Sequence, residues 1–89
     1  MQGLKIILFG KVQKVGLRNS LLKLTKELNL KGYIKNLADG SVDITLLDFE
    51  HDPLFLIEKI KQINSRVLIS SFEFRSCLVE NFEDFKILE

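Results

Sequence analysis

Apolar residues recur along the first half of the chain with two periods, which predict strands and a helix in alternation. Residues 4–9 form a bulky apolar run that ends at a glycine, as is typical of a buried strand. Leucines then recur at helical spacing and predict a helix over residues 19–30. These leucines are Leu17, Leu21, Leu24 and Leu28. Residues 31–36 are predicted as a second strand, and alternating apolar and polar side chains over residues 42–46 predict a third.

The second half of the chain predicts one further helix and two further strands. Asp52 is a favourable N-cap and Pro53 suits a first helical turn, so a helix is expected to begin there and to end before Val67. Residues 72–78 alternate as a fourth strand, and residues 85–88 form a short fifth. This order predicts an α+β, ferredoxin-like βαββαβ sandwich, an antiparallel sheet of about five strands with two helices packed on one face. The seven phenylalanines mostly follow strand periodicity and are expected in the core.

The size and composition of the chain limit the classes of protein to which it can belong. With 89 residues, 46% of them hydrophobic and 28% charged, a single domain over residues 1–89 is predicted. One cysteine excludes a disulfide framework, and one cysteine with one histidine excludes an ordinary zinc site, so neither metal nor cofactor is expected. The first apolar run is short and contains Lys5, which does not suit a signal peptide or a membrane span. We therefore expect a soluble, cytoplasmic monomer.

Positive charge is concentrated in the first part of the chain. Residues 1–36 contain eight lysines and arginines against Glu27 alone, a net charge of +7, whereas residues 37–89 carry −6. Such a basic segment suits an anionic ligand or a nucleic acid. Because most single lysines belong to solvated faces, only cations in a special position indicate a site.

One such position is the start of the first helix. The predicted helix over residues 19–30 spans roughly 18 Å, and the predicted strand over residues 31–36 returns roughly 20 Å. Asn36 is therefore expected near Arg18, beside the loop 10–16. Loop N–H groups and a helix N-terminus attract anions, a guanidinium matches two phosphate oxygens, and a side-chain amide can hold a water molecule. Because neither a Walker sequence nor GxGxxG is present, the residues by themselves predict an anion site rather than a nucleoside-triphosphate site.

Two segments resemble the signatures of the acylphosphatase family. Residues 10–18, GKVQKVGLR, resemble its phosphate-binding loop GxVQGVxFR, and residues 32–36, GYIKN, with residues 39–42, DGSV, resemble its second signature. The spacing of the segments also fits, and the resemblance runs over essentially the whole chain. It implies a hydrolase that converts small acyl phosphates to a carboxylate and orthophosphate without a metal.

The resemblance also implies roles for individual residues. Arg18 would bind the phosphoryl group, or another anion, and Asn36 would position the attacking water. Backbone amides of the phosphate-binding loop would bind beside Arg18, and the residues of that loop are Gln13, Lys14, Val15, Gly16, Leu17 and Arg18. No side chain would act as nucleophile. Because an acyl phosphate already has a good leaving group, positioning and charge stabilisation would suffice without a strong general base.

Lys14 departs from the family pattern, which usually has glycine at this position. If the position requires a positive φ, a lysine costs about 1 kcal/mol there and changes the shape of the anion cradle. Its ammonium could instead attract phosphate, so the sign of the effect stays open. We expect altered rather than abolished activity.

Two functions other than catalysis remain open. RNA recognition motifs share the predicted fold class, and KGYI at residues 31–34 resembles part of their signature. RNA binding requires exposed aromatic side chains on the sheet, for which Tyr33 is the one good candidate, so nucleic acid is a disfavoured partner. The other open function is that of a phosphate sensor, which keeps the fold and the phosphate pocket but does not hydrolyse a substrate. Lys14 in the loop is the feature that suggests it.

Overall fold

The described part of the chain forms five strands and two helices, in the predicted order. The structure, a computed structural model, describes residues 2–88. Its elements are β1 (Gln2–Lys11), α1 (Leu17–Leu28), β2 (Gly32–Asn36), β3 (Val42–Leu47), α2 (Pro53–Ile63), β4 (Leu68–Leu78) and β5 (Phe85–Leu88). The strands form one sheet in the order β4-β1-β3-β2-β5, and both helices pack on one face of it. The predicted ferredoxin-like sandwich is confirmed.

The sheet is antiparallel except at one edge. β1 pairs antiparallel with β3 and β4, and β2 pairs antiparallel with β3, whereas β5 pairs in parallel with β2. The connection over residues 79–84 crosses from one edge of the sheet to the other and stays at the same end of it. β5 therefore runs opposite to β4 and parallel to β2. β4 begins four residues earlier than predicted, because its pairing with β1 continues through a register shift at Phe9 and Gly10.

Aliphatic side chains fill the space between the sheet and the helices. Alternate residues of the central strands and one face of each helix are buried there. Fully buried examples are Ile6, Leu8, Leu21, Leu24, Ile34, Ile44, Leu56 and Ile60. The expectation that the phenylalanines mostly lie in this core is wrong for most of them, since all seven lie in the described chain and none is fully buried. Three of them, Phe49, Phe74 and Phe85, pack against the core and are partly buried. Most lie on edge strands or in loops, where neighbouring elements cover only part of the ring.

Specific residues set where the helices begin. α1 begins at Leu17, two residues before the predicted start, because Gly16 adopts a left-handed conformation (φ 81°) that ends the preceding loop. α2 begins at Pro53, and the carboxylate of Asp52 accepts a hydrogen bond from the N–H of Leu54 at 2.9 Å, as the N-cap prediction requires. Within residues 2–88, neither helix is long and apolar enough to cross a membrane.

Candidate active site

A pocket of about 300 Å³ lies at the end of the sheet where β1 and β2 finish and α1 begins. Six of the seven predicted site residues line it, namely Gln13, Lys14, Gly16, Leu17, Arg18 and Asn36. The seventh, Val15, does not line the pocket. Its side chain is 4% exposed and belongs to the core, which fixes the middle of the loop from behind.

The two side chains with implied catalytic roles reach this pocket from different elements. Arg18 is the second residue of α1 and is exposed. Asn36 is the last residue of β2, and pairing with Val42 of β3 fixes its register. The lengths of α1 and β2 nearly cancel, so both residues lie at the same end of the molecule, where the sequence predicts them.

Positive φ angles shape the loop before α1. They occur at Gly10 (127°), Lys14 (60°) and Gly16 (81°). A Cβ atom on Gly10 would lie 2.3 Å from the carbonyl oxygen of Leu68, so this position also lacks room for a side chain. Lys14 occupies the left-handed region that favours glycine, at a cost of about 1 kcal/mol. Position 14 therefore does require a positive φ, and the loop carries the strain of a lysine there.

Both the backbone N–H groups and the charged side chains around the pocket suit an anion. No side chain of residues 2–88 caps the N-terminus of α1, and the first turn contains no acidic residue. Backbone N–H groups and the positive end of the helix dipole therefore face the pocket. Two cations, Lys14 and Arg18, line it, and among the described residues no carboxylate does.

The side chain of Gln13 ties the loop to the turn after Asn36. Its Nε2 donates to the carbonyl oxygens of Leu37 at 2.8 Å and Ser41 at 2.9 Å. Inside that turn, Asp39 accepts hydrogen bonds from the hydroxyl of Ser41 at 2.5 Å and from its N–H at 2.9 Å, and these lower the pKa of the Asp39 carboxyl. Sequence reasoning assigned Gln13 only a backbone role and missed this contact, because its partners are distant in the chain.

A second and larger pocket, here called the far pocket, lies at the opposite end of the sheet. Its volume is about 540 Å³, and it is lined by residues 28–31 and 46–51. It lies beside the C-terminus of α1, and its charged side chains are of both signs: Lys31, Asp48 and Glu50. None of the predicted site residues reaches it.

Tyr33 on the open face of the sheet is occupied by contacts within the protein. Its hydroxyl donates to Asp43 Oδ2 at 3.2 Å and accepts from Lys5 Nζ at 3.2 Å, and its ring packs on Phe82 with centroids 5.7 Å apart. Lys5 also donates to Asp43 at 2.7 Å. Burial lowers the pKa of Lys5, but the hydrogen bonds to Asp43 and Tyr33 outweigh it and leave that pKa raised. Tyr33 is therefore not a free stacking surface, which disfavours RNA binding.

Comparisons with known proteins point to one family. The profile of the acylphosphatase family matches residues 4–87. An acylphosphatase from Archaeoglobus fulgidus is 32% identical over 87 residues, which cover 98% of each chain. The crystal structure of acylphosphatase from Bacillus subtilis has a TM-score of 0.83 and 26% identity over all of both chains. A full-length HypF in phosphate- and nucleotide-bound form has a TM-score of 0.81 and 31% identity, over 99% of this chain and 12% of that protein.

Proposed function

Because the chain belongs to the acylphosphatase family, whose members are hydrolases of acyl phosphates, we propose that the pocket between β1, α1 and β2 is its active site. The observation that carries this proposal is that Arg18 and Asn36, from different elements, line one pocket together with the loop before α1. The products are a carboxylate and orthophosphate.

Arg18 and the loop bind the phosphoryl group of the substrate. The planar guanidinium donates two parallel hydrogen bonds to phosphoryl oxygens, which matches their spacing. Backbone N–H groups at the start of α1 donate to the remaining oxygens, where the helix dipole adds attraction. Lys14 contributes a second positive charge at the pocket wall. Together these groups stabilise the charge that spreads over the phosphoryl oxygens in the transition state.

Asn36 positions the attacking water. Its amide oxygen accepts a hydrogen bond from the water and directs the oxygen lone pair of that water at phosphorus. A bond forms between phosphorus and the water oxygen while the bond from phosphorus to the carboxyl oxygen breaks. The carboxylate leaves with the bonding pair, and the proton of the water passes to a phosphate oxygen. Since a carboxylate is a weak base, its departure needs no general acid, so orientation and charge are sufficient.

The dimensions of the site support a small substrate. A pocket of about 300 Å³ holds a phosphoryl group and a short acyl group. Cys77 has no disulfide partner, and this supports a cytoplasmic location.

Hydrolysis of benzoyl phosphate by the purified protein in the presence of a chelator tests this function. We expect turnover that is unchanged by the chelator and that disappears in Arg18→Ala. A folded wild-type protein without turnover would contradict the proposal. In that case, thermal protection by inorganic phosphate would identify the protein as a non-hydrolysing phosphate sensor instead.

A further inference from the structure

Behind the phosphate-binding loop, on the side away from the pocket, lies a buried side-chain amide. Asn64, directly after α2, is 8% exposed. Its Nδ2 donates to the carbonyl oxygen of Val15 at 2.9 Å and to Oγ of Ser20 at 2.9 Å. Its Oδ1 accepts from the N–H of Arg66 at 3.0 Å. Both amide hydrogens and the amide oxygen are therefore used, and two of the three contacts reach the loop and helix that form the pocket.

The bond to Val15 fixes the orientation of a peptide group. In a planar trans peptide, the C=O of one residue and the N–H of the next point in opposite directions, and the described chain has no cis peptide bond. Holding the carbonyl of Val15 toward Asn64 therefore directs the N–H of Gly16 the opposite way. Gly16 lines the pocket and Val15 does not, which agrees with this orientation.

Ser20 extends the same support to the next peptide group. Its hydroxyl accepts from Asn64 and donates to the carbonyl oxygen of Gly16 at 3.0 Å, the oxygen that also accepts the N–H of Ser20 at 3.1 Å. This carbonyl belongs to the peptide whose N–H is that of Leu17. Two successive peptide groups are thus held from behind, at the point where the loop becomes α1.

The backbone at position 64 shows that its asparagine is not there for helix termination. Asn29, which ends α1, takes the left-handed conformation (φ 53°) that asparagine tolerates well. Asn64 is extended (φ −146°), a conformation that every residue type adopts. The chemistry of its side chain, rather than its backbone preference, explains the asparagine.

We propose that Asn64 is a positioning residue of the active site, which aims the N–H groups of Gly16 and Leu17 at the phosphoryl group. The inference rests on the proposed function, because it takes this pocket to be the phosphate site. Asn64 touches no substrate and acts through the Val15–Gly16 peptide. Asn64 belongs to neither of the two sequence motifs, and its partner Val15 is 49 positions away in the chain.

Asn64→Ala tests the proposal, with Ile60→Val as the matched control. Ile60 is fully buried in α2, the helix that Asn64 follows, and its side chain has no polar atom. Its variant therefore reproduces a loss of stability without a change in the loop's hydrogen bonds. We expect Asn64→Ala to weaken binding of inorganic phosphate and to lower kcat/KM for benzoyl phosphate, each about tenfold. The larger part should be a rise in KM, because Asn36 still positions the water. Ile60→Val should change both by less than about twofold.

The amide NMR signal of Gly16 provides a measurement that does not depend on catalysis. It should shift in phosphate-free Asn64→Ala and stay in place in Ile60→Val. Ser20→Ala, which keeps the bond to Val15, should give a smaller loss of phosphate affinity and serves if Asn64→Ala does not fold. Unchanged phosphate affinity in the Asn64 variant, or an equal loss in Ile60→Val, would overturn the proposal. Wild-type protein that binds phosphate without turnover would refute the proposed function alone and leave this comparison intact.

Discussion

Two pockets of this protein lie at opposite ends of one sheet, and the larger of these two is not the candidate active site. The far pocket measures about 540 Å³ and the candidate site about 300 Å³. Both are lined by non-glycine residues with positive φ, namely Lys14 at 60° in the candidate site and Asn29 at 53° and Asp48 at 54° in the far pocket. They differ in which end of α1 they adjoin, since the candidate site faces its N-terminus and the far pocket faces its C-terminus, beside Asn29.

That difference decides which pocket can hold a phosphoryl group. A helix N-terminus presents N–H groups and partial positive charge, whereas a C-terminus presents carbonyl oxygens and partial negative charge. The candidate site adds two cations to the favourable end, whereas the far pocket adds two carboxylates, Asp48 and Glu50, against one lysine, Lys31, to the unfavourable one. Backbone N–H groups, the helix dipole and side-chain charges all favour an anion in the candidate site. This agreement, and not the volume of the pocket, is the reason for proposing the phosphate site there.

The largest expected effect separates the cations of the two pockets. Arg18→Ala should lower kcat/KM for benzoyl phosphate at least about a thousandfold and remove phosphate binding, because charge stabilisation is lost in ground and transition states. Lys31→Ala, the matched change in the far pocket, should leave both within about twofold. Steady-state kinetics and phosphate titration measure the two effects. Comparable losses in both variants would mean that the pockets are not functionally distinct.

The next effect separates the asparagines. Asn36→Ala should lower kcat about a hundredfold while phosphate affinity changes by less than about threefold, since the role proposed for Asn36 is toward the water and not toward the phosphoryl group. Asn29→Ala in the far pocket should leave kcat unchanged. The informative comparison is between the fold change in kcat and the fold change in the phosphate dissociation constant. A fully active Asn36→Ala protein would remove the water-positioning role.

Glycine substitutions at one residue with positive φ in each pocket, Lys14 and Asp48, should give a smaller difference. Lys14→Gly and Asp48→Gly each relieve strain of about 1 kcal/mol, partly offset by the greater freedom of glycine in the unfolded chain. We expect thermal midpoints that are equal to wild type or higher by a few degrees in both, roughly what such energies produce in a domain of this size. Activity should be equal or higher in Lys14→Gly and unchanged in Asp48→Gly. A large loss of activity in Lys14→Gly would show that the ammonium takes part in the site.

The smallest expected effect is a pH dependence of thermal stability, which arises in the turn that Gln13 binds beside the candidate site. Hydrogen bonds from Ser41 lower the pKa of Asp39 from its ordinary value of 3.8. Their stabilising effect is therefore fully present above that value and is lost as the pH falls through the lower pKa of the folded state. The thermal midpoint of wild type should exceed that of Asp39→Asn near neutral pH, by an amount that shrinks in acid. Ser41→Ala removes the hydroxyl donor and keeps the backbone N–H donor, so it should reduce this pH-dependent difference without abolishing it. A difference that persists undiminished at low pH would exclude the assignment.

Local patterns and element lengths were sufficient to predict the order of the elements and the meeting of Arg18 with Asn36. They could not reveal the supports of the loop, because Gln13 and Asn64 act on partners 24 to 49 positions away and leave no periodic signal. Alternation likewise shows which face of a strand is apolar but not whether the strand is central. For this reason Phe72, on the edge strand β4, was wrongly assigned to the core, whereas Phe74 packs against the core from the same strand and is only partly buried.

Titration of the wild-type protein with inorganic phosphate, followed by amide NMR, tests the central claim most directly. We expect saturable shifts at Gly16, Leu17 and Arg18 and at Asn36, with signals of residues 28–31 and 46–51 unmoved. The largest shifts at the far pocket, or no saturable shifts at either end, would contradict the assignment of the phosphate site to the start of α1.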